Sequence, residues 1–355
     1  MTVLVMATGS GGHVFPALAV ARRLREQGAE VAWLGTTTGL ESRVVPQAGF
    51  PIARLRVSGI RGKGLARRIS GPLLAVAAGL QALSLMLRSR PSLVLGMGGY
   101  ASGPGGVAAR CLGIPLLIHE QNAVPGITNR LLAPIASRVL EAFPGSFAAS
   151  RGASHTGNPV RDDIAALEGP DERHAGRDES LRVLIVGGSQ GAAALNAAVP
   201  GALGEAARSR RVAVLHQTGA ADRTATVERY RGAGVEADVR EFIDDMAEAY
   251  AWADVVVCRA GAMTIAELSA AGVASVLVPF PHAVDDHQTR NARFLADGGA
   301  AVLLPQASLT PSALAEVLLG LDRARLARMA SAARARAVPD ATDRVVAHCR
   351  EVARD

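Results

Sequence analysis

Short apolar runs alternate with stretches of helical periodicity along most of the chain. A helix is predicted over Pro16–Gln27 after the first run and another near Pro104–Leu112 after a later one. The predicted strands of this first half are Val3–Met6, Glu30–Leu34, Leu93–Gly96 and Pro115–His119. Strands that alternate with helices in this way form a parallel sheet with helices on both faces. The pattern therefore predicts an α/β fold of the doubly wound type.

The same pattern begins again after Gly157-Asn158-Pro159. Residues 168–180 are polar and predicted to be a loop, and a new strand and glycine-rich turn open at residue 181. Further strands are predicted at Val212–His216, Val255–Cys258 and Ala274–Val278. We therefore expect two doubly wound domains, residues 1–159 and 160–339, facing a cleft with ligands at the carboxyl ends of the strands. The sequence leaves open whether a last helix, about 340–355, packs back on the first domain.

The segment 71–87 is apolar except for Gln81 and Ser84, and its 17 residues are at the short limit for a membrane span. Three interpretations stay open: a helix of the core, a helix lying on an anionic membrane surface, and a true span. The apolar residues at helical spacing are Leu73, Val76, Leu80, Leu83 and Leu87, and the flanking basic residues are Arg61, Lys63, Arg67, Arg68, Arg88 and Arg90. A membrane face would include Arg61, Lys63, Arg67, Arg68, Leu73 and Leu80.

Composition narrows the possible functions. The 355 residues are 49% hydrophobic and only 3% aromatic, so the cores consist mainly of aliphatic residues. The three cysteines form no C-x-x-C pair, which favours a reducing compartment without a zinc site. The net charge of +6 comes almost entirely from arginine, since Lys63 is the only lysine. No basic run is interleaved with aromatics, so we expect phosphates or an anionic membrane as partners and no nucleic acid. No signal peptide is expected at the start.

Two glycine-rich turns follow strands in the first domain. The turn in ATGSGGHVFPAL (residues 7–18) lacks the Gly-Lys-Ser/Thr ending of a P-loop and has Val14 where a dinucleotide fingerprint needs glycine. The second predicted strand also ends without the carboxylate that holds a ribose in NAD enzymes, so we do not expect an enzyme of that class. A second turn, GMGGYASGPGG, occupies residues 96–106. Two such turns in one domain indicate an anion site, most simply for a diphosphate.

Polar residues follow other predicted strands. The stretch HEQNAVPG (119–126) predicts a polar wall for hydroxyls or a sugar. In CRAGAMTIAELSAAG (258–272), a helix N-terminus suits a diphosphate, and Glu267 either binds a ribose diol or complements the helix dipole. DDHQTRNA (285–292) adds His287 and Gln288. Because no D-x-D and no metal-spaced His/Cys cluster occurs, we expect neither metal nor cofactor. Helix N-termini, backbone N–H groups and arginine would then hold the charge of a leaving diphosphate.

These blocks together resemble the MurG family of bacterial glycosyltransferases. The resemblance runs from GSGGHVFPALAVA through GNPVR and GGSQGAAALN to DDHQTRNA and so covers nearly the whole chain. It implies a GT-B fold of two Rossmann-like domains. It also implies an inverting transfer of N-acetylglucosamine from UDP-N-acetylglucosamine to the C4 hydroxyl of the muramoyl sugar of lipid I. The products would be lipid II and UDP, and the enzyme would act peripherally at the cytoplasmic face of the membrane.

The resemblance implies a donor site in the C-terminal domain and an acceptor site in the N-terminal domain. The implied donor-binding residues are Ser10, Gly11, Gly12, Asn122, Arg161, Ser189, Ile243, Ala262, Met263, Thr264, Ile265, Ala266, Glu267 and Gln288. Ile243 would bind uracil through its backbone, Glu267 the ribose, Met263 and Thr264 the phosphates, and Gln288 the sugar. The acceptor's diphosphate would lie on Gly11, Gly12, His13, Gly98, Gly99, Tyr100, Ser102 and Gly103.

Some assignments stay open within this resemblance. His13 is expected to be the general base, because an imidazole with a pKa near 6.5 accepts a proton readily at neutral pH, or else to position the loop or phosphate. Some relatives carry paired glutamines where His287-Gln288 stands, so either side chain can be the one that contacts the sugar. Two other functions remain as alternatives: a UDP-N-acetylglucosamine epimerase of the same fold, and a non-catalytic membrane-associated scaffold.

Overall fold

The computed structural model describes residues 1–55, 65–188 and 191–353, with residues 65–72 described by their backbone alone. The chain divides into two compact units. Unit 1 comprises Met1–Val160 and Asp340–Asp355, and unit 2 comprises Arg161–Pro339. Arg61, Lys63 and Ser189 lie outside the described residues, as do the side chains of Arg67 and Arg68.

Unit 1 contains a parallel sheet of seven short strands, most of which are buried. Its strands are β1 Thr2–Met6, β2 Glu30–Thr36, β3 Ile52–Leu55, β4 Leu93–Gly96, β5 Leu116–Glu120, β6 Arg138–Glu141 and β7 Ser154–His155. Its first five helices are α1 Gly11–Glu26, α2 Glu41–Gln47, α3 Leu65–Ser89, α4 Ser102–Cys111 and α5 Ile127–Leu132. The strand order β3-β2-β1-β4-β5-β6-β7 reverses direction at β1, and the first two glycine-rich turns follow β1 and β4, on either side of that switch point.

Unit 2 repeats this arrangement with six parallel strands in the order β10-β9-β8-β11-β12-β13. The strands are β8 Leu181–Val186, β9 Val212–Gln217, β10 Asp238–Arg240, β11 Val255–Cys258, β12 Ala274–Leu277 and β13 Ala301–Leu303. The helices are α6 Asp162–Ala165, α7 Pro170–His174, α8 Ala193–Ala206, α9 Arg223–Ala233, α10 Met246–Trp252, α11 Ala262–Ala271, α12 His287–Ala296, α13 Pro311–Leu319 and α14 Arg323–Arg334. Its switch point lies between β8 and β11.

The last helix, α15 (Ala341–Val352), belongs to unit 1 and packs against α1. Its apolar face, which includes Val345, Val346 and Cys349, joins the core on the α1 side of the sheet. Arg23 of α1 and Asp343 of α15 form an ion pair at 2.7 Å on the outer side of this contact. The chain therefore returns to unit 1 after completing unit 2.

Two local predictions differ from the structure. Helix α1 begins at Gly11, five residues before the predicted start at Pro16, because the glycine-rich turn itself supplies the first helical turn. The predicted loop at residues 168–180 contains α7, which starts at Pro170, a residue suited to a helix's first turn. Arg173, at its end, donates to the backbone carbonyls of Tyr250 and Gly272, so this charged segment is an ordered part of unit 2.

Helix α3 combines a core face with an exposed apolar face. Ala78, Ala82 and Met86 are buried under the sheet at a spacing of four residues. On the opposite side, Leu73 is 72% exposed and Leu80 is 62% exposed, while Leu83 packs against the core. Within the described part of the chain, no helix is long and apolar enough to cross a bilayer.

Candidate functional site

The first glycine-rich turn leads directly from β1 into α1. Ser10 is the N-cap of α1, and its side chain makes no capping hydrogen bond. Gly9 has φ of +94°, a conformation that favours glycine and lets the backbone turn sharply. The start of this 16-residue helix presents backbone N–H groups and the positive end of the helix dipole. The turn at Ser10, Gly11 and Gly12 thus has the geometry that an anion site requires.

His13 lies in the first turn of α1, and its ring orientation is set by the same loop. Its Nδ1 is 3.2 Å from the backbone oxygen of Thr8. Because a carbonyl oxygen only accepts hydrogen bonds, Nδ1 donates in this contact, and in the neutral imidazole Nε2 then carries the lone pair. The imidazole is therefore held in a tautomer that can accept a proton at Nε2.

The second glycine-rich turn packs directly against His13 and Thr8. A methyl group at Gly98 would lie 2.7 Å from the Cδ2 atom of His13, and Gly98 has φ of +94°. A methyl group at Gly99 would overlap the carbonyl and hydroxyl oxygens of Thr8. The two turns are also joined by hydrogen bonds from Thr8 N to Gly98 O, at 3.3 Å, and from Ala101 N to Thr8 Oγ1, at 3.3 Å. The two turns therefore form one interlocked structure.

The other residues that the sequence assigns to the second turn differ in accessibility. The hydroxyl of Ser102 is buried and donates to the carbonyls of Met6 and Gly98, so this side chain supports the turn from inside. The hydroxyl of Tyr100 is buried without a hydrogen-bond partner among the described residues, and burial raises its pKa. A methyl group at Gly103 would lie 3.7 Å from Cγ2 of Thr128 in α5, which is an ordinary van der Waals contact.

The stretch predicted to be a polar wall begins within β5, at His119, and is largely internal. His119 and Gln121 are buried, and Gln121 Nε2 donates to Met97 O at 3.1 Å. His119 Nε2 donates to Gly157 O at 3.0 Å, and burial lowers its pKa to about 4. Glu120 accepts four hydrogen bonds, two of them from the backbone and side-chain nitrogens of Asn122. These groups shape the loop, so the prediction of a wall open to ligand is wrong for His119, Glu120 and Gln121.

In unit 2, the richest candidate site is the start of α11. Gly261 is the N-cap of this helix, and the first turn of the helix carries no acidic residue. Met263 and Thr264 are partly exposed, whereas the side chain of Ile265 is fully buried, so only its backbone remains for ligand contact. Ala262 is also buried and Ala266 is partly exposed. The first turn therefore combines small side chains with N–H groups that suit a phosphate.

Glu267 lies in the second turn of α11, beyond the range of strong interaction with the helix dipole. Its Oε2 accepts a hydrogen bond from the hydroxyl of the buried Tyr250 at 3.0 Å. Burial raises the pKa of Glu267 from 4.5 to about 7, although the Tyr250 hydroxyl and the charge of Arg161 act in the opposite direction. The carboxylate is thus desolvated and gains by accepting further hydrogen bonds in its charged form.

The remaining donor-site candidates come from several segments of unit 2. Arg161 forms a two-contact ion pair with Asp163, at 3.1 and 2.8 Å, and is close enough to lower the pKa of Glu267. The side chain of Ile243 is buried, which leaves its backbone for contact. Gln288 Oε1 accepts from Phe280 N at 2.9 Å, so its amide nitrogen is the group directed to other partners. His287 Nδ1 donates to Val284 O at 2.8 Å.

Sequence reasoning missed the residues that hold these candidates in place. Thr8 orients His13, and Tyr250 binds Glu267. Thr8 lies shortly after the first strand, and this position could have marked it as a residue of the site. Tyr250 is 17 residues from its partner, and nothing in the sequence marks it. Among the described residues, no group of three or more His, Cys, Asp or Glu side chains is arranged to hold a metal ion.

The chain is similar to known proteins over nearly its whole length. Residues 3–141 match the glycosyltransferase family 28 N-terminal domain, and residues 182–345 match the C-terminal domain of that family. A protein of Methylococcus capsulatus is 55% identical, with 99% of this chain and 98% of that protein covered. It is named UDP-N-acetylglucosamine–N-acetylmuramyl-(pentapeptide) pyrophosphoryl-undecaprenol N-acetylglucosamine transferase.

The chain belongs to the MurG family. The crystal structure of Acinetobacter baumannii MurG has a TM-score of 0.88 and 44% identity, with 99% of each chain covered. The two parallel-sheet units of this MurG-family chain therefore form a GT-B fold. A UDP-N-acetylglucosamine 2-epimerase from Neisseria meningitidis has a TM-score of 0.68, covers 99% of this chain and 100% of its own, and is 12% identical. That likeness extends to the fold alone, so it gives the epimerase alternative no support beyond a shared architecture.

Proposed function

We propose that this protein transfers N-acetylglucosamine from UDP-N-acetylglucosamine to the C4 hydroxyl of the muramoyl sugar of lipid I, giving lipid II and UDP. The supporting observation is the 55% identity over 99% of the chain to a relative named for this transfer. The interlocked turns around His13 in unit 1 have groups suited to an acceptor site. The desolvated Glu267 in unit 2 is suited to a donor site.

In the donor site, unit 2 binds the nucleotide. Glu267 accepts hydrogen bonds from the ribose hydroxyls, and its desolvation strengthens these bonds. The diphosphate lies at the start of α11, with Met263 and Thr264 beside it, where N–H groups and the helix dipole stabilise its charge as UDP leaves. Ile243 meets the uracil through its backbone, and the amide nitrogen of Gln288 meets the sugar. The proposal keeps the rest of the donor-binding set, which is Ser10, Gly11, Gly12, Asn122, Arg161, Ser189, Ala262, Ile265 and Ala266.

In the acceptor site, unit 1 binds the lipid diphosphate on the interlocked turns, through Gly11, Gly12, Gly98 and Gly99, with Tyr100, Ser102 and Gly103 behind them. The acceptor C4 oxygen attacks the anomeric carbon in line with the departing UDP. A new carbon–oxygen bond forms as the bond to the diphosphate breaks, so the anomeric centre inverts. The hydroxyl proton passes to Nε2 of His13, the nitrogen that carries the lone pair.

Radiolabelled UDP-N-acetylglucosamine with and without a lipid-diphosphate muramoyl acceptor tests this proposal. The expected result is label in the lipid fraction and UDP release, both dependent on the acceptor. Acceptor-independent formation of the C2 epimer would support the epimerase instead. A protein that turns over neither substrate would indicate the scaffold.

We further propose that helices α3, α4 and α5 form the face by which the enzyme binds the anionic membrane peripherally, at its cytoplasmic side. These helices contact one another in series. Their exposed apolar residues are Leu73, Val76, Leu80, Leu87, Val107, Ile127 and Leu131. Arg88 and Arg110 are exposed on α3 and α4, next to this apolar set, and arginine near an anionic surface contributes about 1 kcal/mol. Arg61, Lys63, Arg67 and Arg68 stay part of the proposed face.

Sedimentation with vesicles of phosphatidylcholine and phosphatidylglycerol tests this face. Replacing Leu73 and Leu80 with Asp should weaken binding by roughly 2–4 kcal/mol, the transfer free energy of the exposed part, about two-thirds, of two leucine side chains. Leu319→Asp is the matched control, because Leu319 is 43% exposed on unit 2. Charge reversal of Arg67 and Arg68 to Glu should also weaken binding and leave UDP binding intact. Equal binding by the wild type and both variants would show that the face lies elsewhere.

A further inference from the structure

A buried carboxylate, that of Glu41, lies next to the first glycine-rich turn and has no role in the proposed reaction. Glu41 is the first residue of α2, and it is fully buried. Its Oε2 accepts a hydrogen bond from Gly9 N at 3.0 Å. Its Oε1 accepts from Thr36 N at 3.0 Å and from Thr36 Oγ1 at 2.6 Å. One carboxylate therefore joins the turn after β1 to the end of β2.

The chain around this carboxylate leaves just enough room for it. A methyl group at Gly39 would overlap both carboxylate oxygens of Glu41. A methyl group at Gly35 would lie 2.9 Å from the Cγ atom of Glu41. The Thr36 hydroxyl that donates to the carboxylate also accepts from Gly39 N at 3.2 Å. Both glycines and the threonine thus form a fitted pocket for a charged group.

This pocket changes the interpretation of the end of the second strand. From the sequence, that strand is expected to end without a carboxylate, because none occurs in Thr36-Thr37-Thr38. In the folded chain, Glu41 brings a carboxylate back to the end of β2, at the place where dinucleotide enzymes hold a ribose. Here the carboxylate is turned inward onto Gly9 and Thr36, so it bonds to the protein's own backbone.

Gly9 is the residue through which this contact acts on the site. Its predecessor, Thr8, accepts the Nδ1 proton of His13, and its successor, Ser10, begins α1 as the N-cap. Gly9 itself has φ of +94°, a conformation that glycine adopts readily, and its N–H is bonded to Glu41. A hydrogen bond to Gly9 N therefore fixes the orientation of the imidazole and the start of the helix together.

We propose that Glu41 is a positioning residue for the acceptor half of the reaction. Its carboxylate holds Gly9, and through Gly9 it holds the first turn and His13 in their working arrangement, without touching either substrate. This inference rests on the proposed function, because it assigns the first turn to the acceptor. A carboxylate accepts at both oxygens, whereas glutamine has one accepting oxygen and one NH₂ group. Because Thr36 donates two hydrogen bonds and Gly9 only one, the amide oxygen should stay with Thr36 and the NH₂ group should face Gly9 N. Glu41→Gln therefore removes one of the two attachments and keeps the side chain's size.

Amide hydrogen exchange measures the contact directly in the full-length protein. In Glu41→Gln, exchange at Gly9 should rise about 10–100-fold, because a charge-assisted hydrogen bond is lost. Exchange in β1 should stay unchanged. Asp343→Asn is the matched control, because it breaks the Arg23–Asp343 ion pair elsewhere in unit 1. Gly39→Ala is a second variant, which displaces the carboxylate without altering it and replaces Glu41→Gln if that variant does not fold.

Steady-state kinetics separate positioning from general destabilisation. Glu41→Gln should lower kcat by about 10–100-fold and keep the wild-type pH profile. The Kd for UDP-N-acetylglucosamine should change far less than kcat, because the proposed ribose and diphosphate contacts of the donor lie in unit 2, at Glu267 and the start of α11. Unchanged exchange at Gly9 would overturn the proposal, as would raised exchange with a normal kcat. If the wild type itself transfers no sugar, the proposed function fails, and the exchange result still decides whether Glu41 holds Gly9.

Discussion

The raised pKa of Glu267 makes donor binding depend on pH in a way that the structure predicts. Burial raises this pKa from 4.5 to about 7 in the free protein. A charged carboxylate accepts strong, charge-assisted hydrogen bonds from the ribose hydroxyls, whereas the protonated acid accepts only weaker ones, so bound donor should return the pKa to a much lower value. Below pH 7 the free protein must release a proton before it binds the donor in this way. Affinity should therefore increase as the pH rises through 7.

The magnitude follows from the ionised fraction of Glu267. With a pKa of about 7, the carboxyl is about nine-tenths ionised at pH 8 and about one-tenth ionised at pH 6. The affinity for the donor should thus fall about tenfold between these pH values, or about 1.4 kcal/mol. Glu267→Gln cannot ionise, so its affinity should change little with pH. At pH 8 it should bind roughly 10–100-fold more weakly than the wild type, from loss of charge-assisted hydrogen bonds.

Isothermal titration calorimetry with UDP-N-acetylglucosamine, without acceptor, is the appropriate assay. A sugar nucleotide is preferable to UDP, because the terminal phosphate of UDP has its own proton with a pKa of about 6. Buffers with different ionisation enthalpies should reveal release of nearly one proton by the wild type at pH 6 and none by Glu267→Gln. If the ratio of the two dissociation constants is the same at pH 6 and pH 8, the ribose assignment of Glu267 is refuted.

Three further predictions concern unit 1. His13→Ala should lower turnover by about 10²–10⁴ and leave donor affinity unchanged; a loss confined to acceptor KM would make His13 a positioning residue. Gly98→Ala should lower kcat at least about tenfold with native thermal stability of unit 2, since its methyl would lie 2.7 Å from His13 Cδ2; wild-type kcat would contradict this packing. His119 has a folded pKa of about 4, below its unfolded 6.5, so its stabilising contribution is lost as pH falls. Urea unfolding at pH 7 and pH 5 should show about 2 kcal/mol more acid destabilisation for the wild type than for His119→Gln, and equal losses would refute it.

The central strands were predictable because burial on both faces produces continuous apolar runs. The sequence analysis did not predict β3, β6, β7, β10 and β13; β3, β7 and β10 are only partly buried, so they lack such a run. Val255–Cys258 agrees with β11 at both ends, and Val3–Met6 misses β1 by one residue. The start of α1 was missed because glycine has a low helix propensity, yet Gly11 and Gly12 form its first turn. The short helix α7 was missed because its charged residues contact partners far along the chain, such as Arg173 with Tyr250 O.

The chemistry-bearing side chains were predictable where they follow strands, and their supports were not. His13 and Glu267 stand in motifs that sequence alone singles out. Thr8, Tyr250 and Glu41 act through hydrogen bonds that the fold creates. The polar residues at the end of β5 led to a wrong prediction of a ligand-binding wall. Glu120 and Gln121 instead use their polar groups for hydrogen bonds inside the protein. A polar residue at a strand end therefore indicates either a ligand or a loop that needs bonding, and only the folded structure distinguishes the two.

Proton NMR of the product formed from UDP-N-acetylglucosamine and a lipid-linked muramoyl acceptor tests the central claim most directly. We expect the transferred sugar to be joined to the C4 oxygen of the acceptor, with the large anomeric coupling of a β-linkage. This result requires direct in-line displacement of UDP by the acceptor hydroxyl. An α-linked product, a different acceptor hydroxyl, or free sugar with an inverted C2 centre would contradict it.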